Sequence, residues 1–276
     1  MNRWQQDELD YSGPVQIADN IYWVGFSDEK AGIHCHPYLI MEGSEAVLID
    51  GGSRDDFSTV MLKILRTGAD PRNIKRLIYQ HYDPDLCGNL PHFEAVINDP
   101  ELKIISHREN NLFIKYYSSA SPMQCIEELN NSFTFSSGRE LKFIRTPFAH
   151  APGSFVTYDS QTRTLFSSDI FGSYDNNWQL YLPCADVCAV CLPQAICPHN
   201  GQTCPLHQML YFHQRIMTSA KALGYALEQI EKLDIELIAP QHGSLIKSKQ
   251  DCKIIIDQLK RLQPVGIDFY FQEIGQ

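Results

Sequence analysis

The chain has 276 residues, of which 43% are hydrophobic and 20% charged, the balance of an ordinary globular protein. Lysine and arginine number 23 against 33 aspartates and glutamates, so the net charge is −10. No basic stretch offsets it, which argues against nucleic-acid binding. No apolar run is long enough to span a bilayer, and the acidic segment Met1 to Glu8 is not a signal peptide. A cytoplasmic location without membrane insertion is expected. Nine cysteines, five of them between Cys184 and Cys204, suit thiols or metal ligands in a reducing compartment better than a disulfide framework.

Residues 1–13 read as an N-terminal arm and 14–276 as the folded domain. Two short strands flank the Asp19-Asn20 turn, and Tyr38–Met41 and Ala46–Asp50 supply two more. Residues 55–65 have helical spacing, with Phe57, Val60, Met61 and Ile64 on one face. Ile74–Tyr79 is the next strand, followed by a helix over 86–97, a strand at 102–105 and a helix over 108–117. Residues 118–131 carry no clear period. Strands are expected at 132–135, 141–145, 155–158 and 163–166, the last two as adjacent partners. Residues 172–204 are irregular, with a Cys-rich insertion at 184–204. A long helical pattern covers 205–233, a strand 235–239 and a last helix 248–262, before a tail at 268–276. Strand and strand–helix units repeated in two halves predict an α/β fold, a four-layer αββα sandwich with the sheets meeting in the middle.

His81, Asp83, Asp85, His150, Asp169 and His242 each stand at or just past a predicted strand end, where α/β proteins keep their chemistry. Three imidazoles and three carboxylates suit iron, manganese or zinc, and the carboxylates favour iron or manganese. A shared carboxylate can hold two metals about 3.5 Å apart.

His81-x-Asp83-x-Asp85, His150, Ser168-Asp169 and His242-Gly243 together resemble the metallo-β-lactamase fold over residues 15–262. Its hydrolases carry His-x-His-x-Asp-His and mostly bind zinc. An acidic residue at the second position marks the flavodiiron branch, and Asp83 stands there. The resemblance is closest to the oxygen-binding diiron proteins. It implies that His81, Asp83 and His150 hold one iron, that Asp85 and His242 hold the other, and that Asp169 bridges them. Asp83 is one methylene shorter than the usual Glu. Leu86 stands where a His ligand is usual, leaving the second metal a single imidazole.

The implied function is that of a non-haem diiron protein that binds or reduces O2, or NO, as a sensor or as the last component of an electron-transfer chain. If it is an enzyme, it is an oxidoreductase. No flavodoxin segment or Gly-rich dinucleotide motif follows the metal residues, so FMN is not expected in this chain and a separate reductase would supply electrons. A homodimer is compatible with the sequence. The alternative is a dinuclear zinc hydrolase using the same residues.

Tyr82, between two ligands, and Tyr174, five residues past Asp169, are candidate hydrogen-bond donors to a bound ligand, with packing the plainer role for Tyr82. Cys184, Cys188, Cys191, Cys197 and Cys204 contain one CxxC pair. A further metal or cluster, a redox-active thiol site and a loop packed by small thiols all remain open there. His34-Cys35-His36 reads as a pocket rim or surface segment rather than as ligands.

Overall fold

Alternation in the strands decides the layering. In Glu45–Ile49, Ala46 and Leu48 join one apolar cluster, and Val47 and Ile49 join another. Side chains on a strand alternate faces, so a strand buried on both sides must lie between two layers. The computed structural model describes residues 9–275 except 29–31, 119, 175–177, 183 and 185. The first eight residues of the N-terminal arm therefore lie outside the described residues. In the rest of the arm, Tyr11 packs against Trp23 and Trp178 with ring centroids 6.0 and 5.1 Å apart.

In the first half, β1 (Val15–Ala18) and β2 (Ile21–Trp23) precede a separate hairpin of β3 (Phe26–Asp28) and β4 (Ile33–Cys35). Then come β5 (Tyr38–Glu42), β6 (Glu45–Ile49), β7 (Ile74–Ile78), β8 (Lys103–Ser106) and β9 (Met123–Cys125). The first sheet runs β1-β2-β5-β6-β7-β8-β9, antiparallel as far as β6 and parallel from there. In the second half are β10 (Ser132–Thr134), β11 (Glu140–Arg145), β12 (Phe155–Asp159), β13 (Thr164–Phe166), β14 (Leu237–Ala239) and β15 (Ile246–Lys247). They pair in that order, with β13 and β14 parallel.

Three apolar clusters account for four layers. Ile40, Val47, Ile49, Ile78 and Ile105 of the first sheet meet Phe143, Phe155, Phe166 and Leu237 of the second. Outside the first sheet, Leu39, Leu48 and Ile104 pack against helices α1 (Phe57–Arg66), α2 (Pro84–Cys87), α3 (Leu90–Ile97) and α4 (Arg108–Ile114). Outside the second, Val156, Leu165 and Ile238 pack against α5 (Pro205–Ile216), α6 (Ala220–Ile230) and α7 (Lys249–Lys260). This is the αββα sandwich expected from the sequence.

One buried ion cluster ties the sheets together. Arg139, just before β11, donates from Nε and Nη2 to Asp159 at 3.2 and 2.8 Å and from Nη1 to Glu42 at 3.1 Å. Glu42 ends β5 of the first sheet, and Asp159 ends β12 of the second.

Several elements differ from expectation for local reasons. The 86–97 helix is two helices, because Gly88 and Asn89 interrupt it. A Cβ at Gly88 would stand 2.6 Å from the Pro84 carbonyl oxygen and 2.8 Å from the Arg54 nitrogen. The long 205–233 pattern breaks at Met217–Ser219, where Ser219 Oγ caps α6 by accepting from the Ala222 amide at 3.2 Å. The tail forms helix α8 (Ile267–Ile274), and the 118–131 stretch contains β9. Strands β3, β4 and β15 have only two or three residues each, too few to show a period.

Candidate metal centre

The strands deliver their carboxyl ends to one place. After β7 the chain runs through Gln80 into His81, and the buried Asp50 at the end of β6 clamps this exit. Asp50 accepts from the Gln80 amide at 3.2 Å and from its side-chain nitrogen at 3.3 Å. Burial pushes the Asp50 carboxyl up to about 8, against the lowering effect of the Gln80 hydrogen bonds.

His81 is fully buried. Its Nδ1 lies 2.8 Å from Ser168 Oγ, which orients the ring. Its Nε2 has no hydrogen-bond partner and lies 3.7 Å from both Asp169 Oδ1 and Asp83 Oδ2. His150, on the β11–β12 connection, puts Nε2 2.9 Å from Asp169 Oδ2 and 3.3 Å from Asp83 Oδ2. Asp169 follows β13 through Ser167 and Ser168, and the Ser168 carbonyl accepts from the Gln241 amide at 2.8 Å. That bond draws the β13 and β14 exits together.

His242 follows β14. Its Nδ1 lies 2.8 Å from the His34 carbonyl oxygen, so Nε2 faces inward, 3.2 Å from Asp85 Oδ2 and 3.8 Å from Asp169 Oδ1. Gly243 allows this presentation. Its φ is +80°, and a Cβ there would come within 2.3 Å of Ser173 Oγ.

Two groups of donor atoms result, each gathered within 4.8 Å. One is His81, His150 and Asp169, and the other is Cys35, Asp85 and His242. Asp169 belongs to the first and also faces the second, through the same Oδ1 that faces His81. All six residues singled out in the sequence are thus brought together. Cys35 is the addition. It sits at the end of β4, in a hairpin too short to announce itself, and nothing in the sequence marks it as facing His242.

The charges in the metal-free protein follow from this geometry. Burial opposes ionisation of Asp169, but His81, His150 and His242 outweigh it and hold the carboxyl well below the usual carboxylate range. Burial likewise opposes charge on His150, yet Asp169 and Asp83 drive it up to about 10. His242 is raised well above the ordinary value despite burial, mainly by Asp85, whereas burial lowers His81. Asp83 is lowered because His150 and His81 overcome its burial. His81 Nε2 and Asp169 Oδ1 are both buried without a hydrogen-bond partner and face each other, an arrangement that a cation between them would satisfy, so the donor set fits a bound metal pair.

Leu86 points the other way. It is fully buried in the cluster outside the first sheet, with Leu90 and Phe93. Tyr82 also packs on that face, its ring 4.5 Å from Phe113. Tyr174 is 39% exposed at the rim, its ring 4.8 Å edge-on to Phe212, which in turn lies 6.0 Å from His242. Burial raises its phenol. His36 is a structural residue. It accepts from Trp23 Nε1 at 2.8 Å, and its Nε2 lies 2.6 Å from the Gly243 carbonyl oxygen.

Among the described residues, Cys184, Cys188, Cys191, Cys197 and Cys204 form no disulfide. The neighbouring Cys188 and burial push the Cys184 thiol up, and burial does the same to Cys191. Gln258 of α7 holds this loop by donating to the Cys188 and Cys191 carbonyls at 2.8 and 3.3 Å. Cys204 stands at the N-terminus of α5, and Cys184 and Cys204 join the cluster outside the second sheet.

Residues 33–243 match the model of the ODP family of β-lactamase-type proteins. A putative diflavin flavoprotein A 2 from Synechocystis is 27% identical over 76% of this chain and 33% of its own length. The flavo-diiron protein FprA2 from Clostridium acetobutylicum is 24% identical over 84% and 57%. The chain thus spans from a third to somewhat over half of these curated relatives. The apo state of the chemotaxis sensor ODP from T. denticola superposes with a TM-score of 0.72 at 25% identity, over 95% of this chain and 97% of that one. With three quarters of its length under the family model and its metal-facing residues in one cluster, the chain belongs to the ODP family of the metallo-β-lactamase fold, related to the flavodiiron proteins.

Proposed function

We propose that this chain is a non-haem diiron protein that binds or reduces O2 or NO, as a sensor or as the terminal component of an electron-transfer chain. One observation carries the reading. The buried Asp169 carboxylate faces His81 and His150 on one side and His242 on the other, and two further carboxylates complete the ring. His81, Asp83 and His150 would hold one ion, Asp85 and His242 the other, and Asp169 both. A mixed imidazole and carboxylate set favours iron over zinc. Relatives named as flavo-diiron proteins and as a chemotaxis sensor support redox or binding chemistry over hydrolysis.

Bound as a ferrous pair, the metals would supply one electron each to a small diatomic ligand. The residues do the rest. The Ser168 contact to His81 and the His34 carbonyl contact to His242 fix which nitrogen of each ring faces inward. His150 would hold its ion as the neutral imidazole, so binding would release the proton that Asp169 and Asp83 favour on it. Tyr174, packed on Phe212, would donate a hydrogen bond to a bound ligand. Complete reduction of O2 takes four electrons, two more than a ferrous pair would supply, so an electron donor would be needed. The cysteine loop from Cys184 to Cys204 would be a further place for a metal, although among the described residues its thiols are not gathered into a donor cluster like the two above. Nine cysteines that form no disulfide among the described residues fit a reducing, cytoplasmic setting. No helix among the described residues is long and apolar enough to cross a membrane.

Anaerobic iron loading, metal analysis and an optical spectrum before and after air test this. About two irons per chain and a new visible absorption in air are expected at a carboxylate-bridged pair. A colourless two-zinc protein that air leaves unchanged would replace the reading with a zinc hydrolase.

A further inference from the structure

The second cluster has a donor the six-residue set does not include. Leu86 cannot ligate, so that position would be left with Asp85, His242 and a share of Asp169. Cys35 fills the gap. Its sulfur, an Asp85 oxygen and a His242 nitrogen lie within 4.8 Å of one another. Cys35 is only 3% exposed, so its sulfur is held inside the cluster rather than turned to solvent.

Its position is built in. The His36 amide, one residue after Cys35, donates to the Gln241 carbonyl at 3.0 Å. The His34 carbonyl, one residue before, lies 2.8 Å from His242 Nδ1. These bonds lock the backbone on both sides of Cys35 to the loop that presents His242. From behind, β3 pairs Phe26 with Cys35. The chain between β2 and β3 approaches so closely that a Cβ on Gly25 would stand 2.3 Å from the Cys35 carbonyl oxygen. Independently, Asp169 Oδ1 is buried without a hydrogen-bond partner, 3.8 Å from His242 Nε2, as a donor awaiting a cation would be.

We propose that Cys35 is a thiolate ligand of the second metal, beside Asp85 and His242, in place of the imidazole that Leu86 removes. This rests on the two-metal reading above. The two positions are then unlike, the first of nitrogen and oxygen donors and the second of sulfur, nitrogen and oxygen. A thiolate is a softer donor than imidazole or carboxylate, so the second position would rank metals differently from the first.

The test uses the full chain carrying Cys188→Ser and Cys191→Ser, so that the cysteine loop contributes no CxxC sulfur. This protein is titrated anaerobically with Co2+, then with Fe2+. Metal stoichiometry, the near-ultraviolet spectrum and X-ray absorption at the metal edge are recorded. Two bound ions, a sulfur-to-cobalt charge-transfer band and a sulfur scatterer at about 2.3 Å are expected. Cys35→Ser and Cys35→Ala should lose the band and the scatterer. They should also weaken the second equivalent at least about tenfold and leave the first unchanged. Circular dichroism of the metal-free variants reports whether they fold, and the scattering measurement on the parent needs no Cys35 variant. Two ions without a sulfur scatterer would overturn the Cys35 assignment and leave the two-metal reading standing. A parent that binds no ion would overturn both.

Discussion

Replacing Asp169 with Asn keeps the side-chain shape and removes the charge shared by both clusters. Asp169 Oδ1 lies 3.7 Å from His81 Nε2 and 3.8 Å from His242 Nε2, so on the proposed two-metal reading one oxygen would serve both ions. Unit charges about 4 Å apart at an effective dielectric near 20 interact by about 4 kcal/mol, and a divalent ion raises this. At about 1.4 kcal/mol per tenfold, even the lower figure is close to a thousandfold loss of affinity. The loss should fall on both ions, because Oδ1 faces both clusters. Asp83 reaches only His81 and His150, and Asp85 is paired with His242. Asp83→Asn should therefore weaken one equivalent and Asp85→Asn the other. Anaerobic titration with ferrous iron, followed by metal analysis after desalting, separates the three patterns. An Asp169→Asn protein that kept one equivalent at wild-type affinity would show that Asp169 serves one ion and does not bridge.

Other expectations concern the frame and the rim. Arg139→Met strands the buried Asp159 and removes the tie to Glu42, and should cost about 3–5 kcal/mol in urea unfolding. Lys63 is buried over the Trp23 ring, with its ammonium 3.8 Å from the centroid, and burial lowers its pKa to about 8. The folded protein therefore resists the charged form. Wild-type stability relative to Lys63→Met should rise as pH climbs from about 8 to about 10.5, by on the order of 3 kcal/mol, and be flat below that range. Denaturant midpoints of the two proteins across that range would check it. Tyr82→Phe should change stability by less than about 0.5 kcal/mol and leave metal content intact, because the ring packs on Phe113. Tyr174→Phe should also keep both metals but alter the absorption that develops in air. An unaltered spectrum would leave that phenol without a role at the centre.

Much of this was legible because two kinds of signal are local. The near-continuous apolar runs Ala46–Ile49 and Phe155–Tyr158 report burial on both faces of a strand, and hence the four layers. The short spacing of His81, Asp83 and Asp85 after an apolar run reports a strand end. What stayed hidden depends on contacts distant in sequence. The break between α5 and α6 is decided by the Ser219 cap and by close packing at Gly266, where a Cβ would stand 2.1 Å from the Thr218 carbonyl oxygen. Periodicity alone runs straight through it. Cys35 could not be weighed without the hydrogen bonds that join 34–36 to 241–242 across some two hundred residues of chain.

The same contrast bears on how one fold serves different chemistry. Strand ends fix where donors stand, and each loop chooses which donors they are. Leu86 belongs to a helix that packs on the outer face of the first sheet, so an apolar residue there stabilises α2 and α3 and, on the proposed reading, would leave the second position one imidazole short. Cys35 comes from a separate two-stranded hairpin, held to the His242 loop by backbone bonds that any side chain would permit. Ligand identity at the second position is thereby uncoupled from the folding of either sheet. The first position is not free in this way. His81 is locked by Ser168, and Asp169 lies between two strand exits that are bonded to each other. Variation in affinity and in the response to O2 is therefore expected to concentrate at the His242 side of Asp169, with the His81 side kept as the fixed anchor of the pair.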